Sequence, residues 1–223
     1  MINEVHLMDC LEGMKQWPDK HFDLAVVDPP YDFSCSKTTY VNKNKVFAKR
    51  FNRHGIGLKD KGGLAIGGNN LNSLGFPPQK EYFTELIRVS KNQIIWGGNT
   101  FANLLPNSME WLFWDKKNGD SYFSDGELAW TSFSGGVRMF RPDHLPKADK
   151  IHPTQKPVKL YDWIFHNYAK EGDTILDTHV GSGSSRISAH RAGLDFTGYE
   201  LDPDYWAAQE KRYNQFKSQL TLF

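Results

Sequence analysis

The chain has 223 residues, 39% hydrophobic and 24% charged, with a net charge of +1; this suits one large folded domain and excludes a disordered or low-complexity chain. Its two cysteines, Cys10 and Cys35, form neither a disulfide framework nor a metal-ligand spacing, and no apolar run approaches the ~20 residues that cross a bilayer. With no charged-then-apolar leader at its start, the expectation is a soluble cytoplasmic protein without metal or membrane, whose partners are announced by the distribution of charge rather than by its sum.

Glu4 to Asp9 (EVHLMD) reads as a short strand, and Cys10 to Gln16 as a brief helix ended by Trp17-Pro18. Asp9 falls at the strand end, where a solvated turn residue and a ligand-binding residue are equally open readings. Phe22 to Val27 (FDLAVV) has the length and composition of a buried parallel strand. Asp28, Pro29, Pro30 and Tyr31 follow it, at the carboxyl edge where open α/β sheets bind ligands. The prolines stiffen this turn and lack an N–H, so its carbonyls face outward. The Asp28 carboxylate and the Pro29 carbonyl can then accept the two hydrogens of a planar amino group, with the Tyr31 ring as a stacking surface. Accepting both hydrogens draws the nitrogen toward tetrahedral geometry and frees its lone pair for attack. The plainer reading of the same four residues is a rigid turn that ends a strand.

From Lys37 to Lys61 the chain carries Lys37, Lys43, Lys45, Lys49, Arg50, Arg53, Lys59 and Lys61 against the single acid Asp60, with Tyr40, Phe47 and Phe51 interleaved. Such a segment suits phosphates and bases, and a solvated charged loop is the even alternative. Its glycines mark a mobile loop at about 34–75. Pro77 and Pro78 introduce a helix to about Ser90, with Tyr82, Phe83, Leu86 and Ile87 on one face. Asn92–Trp96, Glu110–Asp115 and Glu127–Phe133 read as strands, and Val137–Phe140 as an extension of the sheet. Trp111, Trp114 and Trp130 read as core packing, and the loop around Lys116, Lys117 and Asn118 and the segment from Arg138 to Lys150 as further sources of DNA contacts.

IHPTQKPVKL, from Ile151, leads into a helix with Tyr161, Ile164, Phe165 and Tyr168 at helical spacing and Pro157 at an N1-like position. Thr174–Asp177 reads as a strand that turns through THVGSGSS into a helix ending near Ala192, with Gly181 and Gly183 permitting close approach to a ligand. Phe196–Glu200 is a strand ending in an acid about 20 residues after the glycine turn, where Rossmann-like folds bind ribose hydroxyls. Asp202-Pro203 caps a last helix. Arg186 occupies the third glycine position, so the dinucleotide pattern GxGxxG is not met, but the set points to a nucleoside-bearing cofactor.

DPPY at Asp28–Tyr31, HPTQKPVKL at His152–Leu160 and LDTHVGSGSS at Leu176–Ser185 together resemble the amino-type DNA methyltransferases, which use S-adenosylmethionine to methylate adenine N6 or cytosine N4. The motif order resembles the β group of that family. Thr178 and His179 stand where the family has proline and an aromatic residue, and Ser184 where it has threonine. The resemblance implies an α/β Rossmann-like fold: a mostly parallel seven-stranded sheet with one antiparallel strand from the tryptophan-rich segment and helices on both faces. It also implies a single catalytic domain over 1–223, with a small target-recognition segment at about 111–150. Val5–Asp9 is then expected beside Phe196–Glu200, and Thr174–Asp177 beside Phe22–Val27. Asp28, Pro29, Pro30 and Tyr31 become the catalytic set, with Tyr31 stacking on a base flipped from double-stranded DNA. The cofactor falls to Asp28, Asp177, His179, Gly181, Ser182 and Gly183, with Thr154 and Lys156 near its carboxylate, Glu200 on its ribose, and Asp9 and Cys10 beside its adenine. Lys37, Lys43, Lys45, Lys49, Arg50 and Arg53 become DNA contacts. Asp28 favours adenine over cytosine as the target. A cysteine nucleophile is not expected, since neither Cys10 nor Cys35 follows a proline. A homodimer and a cognate restriction endonuclease are further partners open to such a chain.

Overall fold

A computed structural model describes residues 2–30, 77–117, 124–142, 151–152 and 154–220. The chain divides into two compact units, Met1–Pro29 with Pro78–Phe223, and Pro30–Pro77, and the second lies almost wholly outside the described residues. Within the first, β1 (Asn3–Leu7), α1 (Cys10–Met14), β2 (Phe22–Val27), α2 (Lys80–Val89), β3 (Ser90–Trp96), β4 (Trp111–Asp115), β5 (Gly126–Thr131), β6 (Arg138–Phe140), α3 (Val158–Tyr168), β7 (Thr174–Asp177), α4 (Ser184–Arg191), β8 (Asp195–Glu200) and α5 (Pro203–Leu220) follow in order.

The strands form one sheet in the order β1-β8-β7-β2-β3-β5-β4-β6. β5 alone runs against the others, and it carries Trp130, so the antiparallel strand does come from the tryptophan-rich segment. The two expected neighbour pairs are present, with Val5 opposite Gly198 and Leu24 opposite Ile175. The sheet has eight described strands rather than seven. The addition is β6, three residues parallel to β4 with Met139 opposite Phe113, its Met139 half exposed. It lies within Val137–Phe140, the stretch read from the sequence as an extension of the sheet, so the segment was found and only the strand count was short by one.

Side-chain alternation in β2 gives each face of the sheet its own core. Leu24 and Val26 join Ile94, Trp96, Ile175 and Phe196 beneath Leu160, Ile164 and Phe165 of α3 and Ala189 of α4. Tyr199, of opposite parity to Phe196 on β8, turns its ring to the other side, so close to Gly13 of α1 that a Cβ there would stand 2.3 Å from it. α2 buries Tyr82, Phe83, Leu86 and Val89, about 1.5–3 kcal/mol for each such side chain. Asp23, the polar residue of β2, fixes its start: Oδ2 accepts from Thr174 N and Oγ1 of β7 at 3.0 and 2.9 Å, and Oδ1 accepts from Lys91 Nζ of β3 at 2.6 Å.

Two sequence readings change in detail. Pro157 is the N-cap of α3 rather than its first helical residue, because its ψ of 143° is extended. Arg186, a failed glycine in the dinucleotide pattern, is a structural tie that is 4% exposed. Its guanidinium donates to Asn3 Oδ1 at 2.7 Å, Gln209 Oε1 at 2.9 Å and Glu210 Oε1 at 2.5 Å, and stacks 3.9 Å over the Tyr213 ring. β1, α4 and α5 are thereby joined by one side chain. No described helix is long and apolar enough to cross a membrane.

Candidate active site

Four neighbouring parallel strands each deliver an acid at the same edge of the sheet. Along β1-β8-β7-β2 these are Asp9, Glu200, Asp177 and Asp28, each at or just past the carboxyl end of its strand. Sequence separations as large as 191 residues vanish here because parallel strands put like ends together. Each acid is held by a donor. Asp9 caps α1, its Oδ1 accepting from Leu11 N at 2.9 Å and Glu12 N at 3.2 Å. Glu200 Oε2 accepts from Gly181 N at 2.8 Å, and its Oε1 from Asp202 N at 3.0 Å. Asp177 accepts from His179 N at 3.0 Å and from Ser185 Oγ at 2.5 Å.

The glycine turn fits between these acids. Gly181 and Gly183 have φ of +52° and +73°, where a Cβ is strained. At Gly181 the backbone alone calls for glycine, since a Cβ there would meet the His152 ring at 3.6 Å, an ordinary contact. His152 packs edge-on against Tyr205 with centroids 4.3 Å apart, and its Nδ1 accepts from Thr154 N at 3.4 Å. Thr154 itself is exposed. Ser182 is buried, its Oγ 3.2 Å from Ser184 Oγ and its carbonyl accepting from Arg212 at 2.7 Å.

Burial sets the protonation states. It pushes the Asp177 carboxyl up to about 7, with the charges of Asp28 and Glu200 adding to the effect. It raises Glu200 as well. Burial pushes His179 down to about 4, so its imidazole is neutral at pH 7. The Cys10 thiol is pushed up to about 12 by burial and by Asp9, which keeps it protonated and unsuited to nucleophilic attack. Asp9, Cys10, Asp28, Asp177, His179 and Glu200 therefore share one electrostatic neighbourhood.

Lys156 is 4% exposed and pairs with Asp28 Oδ2. Its ammonium also lies 3.1 Å from Glu127 Oε2 on β5 and 5.5 Å over the Trp96 ring. Burial opposes its charge, but Asp28 and Glu127 outweigh burial and hold its pKa above the usual lysine value. Glu127 is likewise disfavoured by burial, yet Lys156 and Lys116 keep it below the usual range. Lys116 pairs with Glu127 and lies 5.1 Å from the Trp114 ring centre, so it faces the protein here.

Several of these residues have no site role in the sequence reading. Tyr82 reads there as core, but its hydroxyl lies 2.6 Å from Thr178 Oγ1, which is in turn 2.9 Å from His179 Nδ1. Glu127 and Trp96 also approach Lys156, and Ser185 approaches Asp177. The Asp9 cap was legible as Asp-x-x-Glu over 9–12, a helix-start pattern. Of the DPPY turn, Pro29 is buried in the first unit, Pro30 belongs to the second, and Tyr31 lies outside the described residues. So do Lys37, Lys43, Lys45, Lys49, Arg50 and Arg53.

With this geometry in place, the sequence profile of the N6/N4 DNA methylases, described as DNA methylase, matches residues 22–211. The chain belongs to the N6/N4 DNA methylase family. The match begins with β2 and ends within α5, so it spans both the Asp28 turn and the glycine turn. Among relatives, the type II methyltransferase M2.LlaDCHI of Lactococcus lactis subsp. cremoris is 29% identical over 93% of this chain and 87% of its own length. M2.DpnII of Streptococcus pneumoniae is 27% identical over 92% and 87%. Among solved structures, the M1.HpyAVI–SAM complex superposes with a TM-score of 0.57 and 18% identity, over 96% of this chain and all of that one. The cytosine-N4-specific PvuII DNA methyltransferase gives 0.58 and 13%, over 96% and 86%. At these identities the structural likeness speaks for the Rossmann-like methylase fold.

Proposed function

We propose that this N6/N4 methylase transfers a methyl group from S-adenosylmethionine to the N6 amine of an adenine flipped out of double-stranded DNA. The observation that carries the reading is the placement of Asp28 and the Asp177–Gly183 turn at the carboxyl ends of adjacent strands. The donor set fits the cofactor: S-adenosylmethionine carries an ammonium, a sulfonium and ribose hydroxyls, and the edge offers carboxylates from Asp9, Glu200 and Asp177 beside a left-handed glycine turn. When bound, the cofactor supplies an electrophilic methyl group.

Every other part of the reaction falls to the chain. Asp28 and the Pro29 carbonyl accept the amine hydrogens, and the Asp28 charge stabilises the positive charge that develops on nitrogen. Tyr31 supplies the face on which the base stacks. Glu200 receives the ribose hydroxyls, and Asp177 neutralises the cationic methionine end. The basic segment with Lys49, Arg50 and Arg53 lies along the phosphates, and 111–150 contributes to reading the site. Adenine is favoured by Asp28 itself, since the DPPY turn resembles that of adenine-N6 enzymes while cytosine-N4 enzymes more often place serine there.

The test is methylation of duplex DNA with tritiated S-adenosylmethionine, followed by digestion and chromatography of the nucleosides. Label in N6-methyladenine is the expected result. Label in N4-methylcytosine would replace the target base, and absence of label from folded, cofactor-binding protein would refute methyl transfer.

A further inference from the structure

Lys156 holds two carboxylates, and the proposed chemistry uses only one of them. Its partners are Asp28 at the end of β2 and Glu127 on β5, and Glu127 reaches in turn to Lys116. The four charges alternate in sign: Lys116, Glu127, Lys156, Asp28. Stability gives no reason for such a chain, because replacing a buried ion network by apolar residues is often neutral or stabilising. Its consequence is electrostatic. A buried ammonium facing Asp28 alone would compete with the amine hydrogens for the carboxylate, and would oppose the positive charge that forms on nitrogen. Glu127, the second carboxylate on the ammonium at 3.1 Å, offsets part of that field and helps to fix where the ammonium stands.

We propose that Glu127 is a positioning residue for methyl transfer, acting through Lys156 to hold Asp28 in place and keep its carboxylate strong as an acceptor. The inference rests on the amine-methylation reading above. It is specific about chemistry: what matters at position 127 is the negative charge, with the shape of the side chain secondary.

Glu127→Gln keeps the shape and removes the charge, whereas Glu127→Asp keeps the charge and alters the shape. Turnover of duplex DNA is measured for both variants and the wild type, normalised to the number of S-adenosylmethionine sites found by calorimetry. Glu127→Gln is expected to lower kcat about 10–100-fold, the range that misplacing a reacting group produces, with KM for cofactor and DNA within about threefold. Glu127→Asp is expected to keep more activity than Glu127→Gln. Wild-type kcat in Glu127→Gln, a loss expressed in KM, or lower activity in the Asp variant than in the Gln variant would each overturn the inference and leave the methylation reading standing. A wild-type chain that binds cofactor but transfers nothing would instead remove that reading, and this inference with it.

Discussion

Replacing Asp177 by asparagine should make the ligand-free protein more stable. Asp177 is 2% exposed, and burial raises its pKa from 3.8 to about 7. The unfolded carboxyl thus ionises near 3.8 and the folded one near 7. The folded state holds its proton more tightly, so stability falls as pH rises through that window and levels off above it. At about 1.4 kcal/mol per pH unit, the gap sets an upper bound of about 4 kcal/mol on the penalty at pH 8. Asparagine keeps the bond from His179 N to Oδ1 and can donate through its amide to Ser185 Oγ, but one N–H is left without a partner, at about 1–3 kcal/mol. The net expectation for Asp177→Asn is a gain of about 1–3 kcal/mol at pH 8, or several degrees in Tm for a chain of this size. At pH 4 the gain is absent. Urea unfolding at both pH values, without ligand, measures it. A variant less stable than wild type at pH 8, or one with the wild-type pH slope between 5 and 8, would refute the reasoning. Calorimetry should also show weaker S-adenosylmethionine binding by the stabilised variant, since the proposed function makes Asp177 the counter-ion of the cationic methionine end.

Asp28→Ala should abolish methyl transfer while calorimetry shows cofactor affinity within a few-fold of wild type; retained turnover would contradict the assigned role. Neutralising Lys49, Arg50 and Arg53 together should weaken DNA binding and flatten its dependence on salt, by about one unit of slope for each phosphate no longer neutralised, as read from binding titrations at several salt concentrations. Arg186→Met should lower stability by about 3–5 kcal/mol, because Glu210 and Gln209 lose a buried partner, while kcat per folded molecule stays near wild type. Urea unfolding and turnover on one preparation separate the two effects.

The sheet was legible because its central strands carry strong local signals. Phe22–Val27 and Thr174–Asp177 are observed with the bounds read from the sequence, and the acid at the end of each marks the carboxyl edge. The capping role of Asp202 was equally legible: its Oδ1 accepts from Asp204 N and Tyr205 N at 2.8 and 3.1 Å. What local pattern does not carry is pairing at a distance. Glu127 in an aromatic strand looks like an outward-facing charge until β5 is placed near Lys156, 29 residues on. Arg186 looks like a defect in a glycine pattern until β1 and α5 close around it. The resemblance puts Lys156 near the cofactor carboxylate; the structure puts it on Asp28 and Glu127, a partnership that spacing within HPTQKP does not announce.

The acidic edge has a kinetic side. Its four members come from positions 9, 28, 177 and 200, and β1 finds its partner only when β8 has been made. Loop closure over so many residues is slow, so refolding should be limited by this last, longest-range pairing rather than by any single helix. A nascent chain on the ribosome, stopped before residue 195, lacks Glu200 and has no partner for its first strand. Competence to bind the methyl donor therefore waits until β8 has been made.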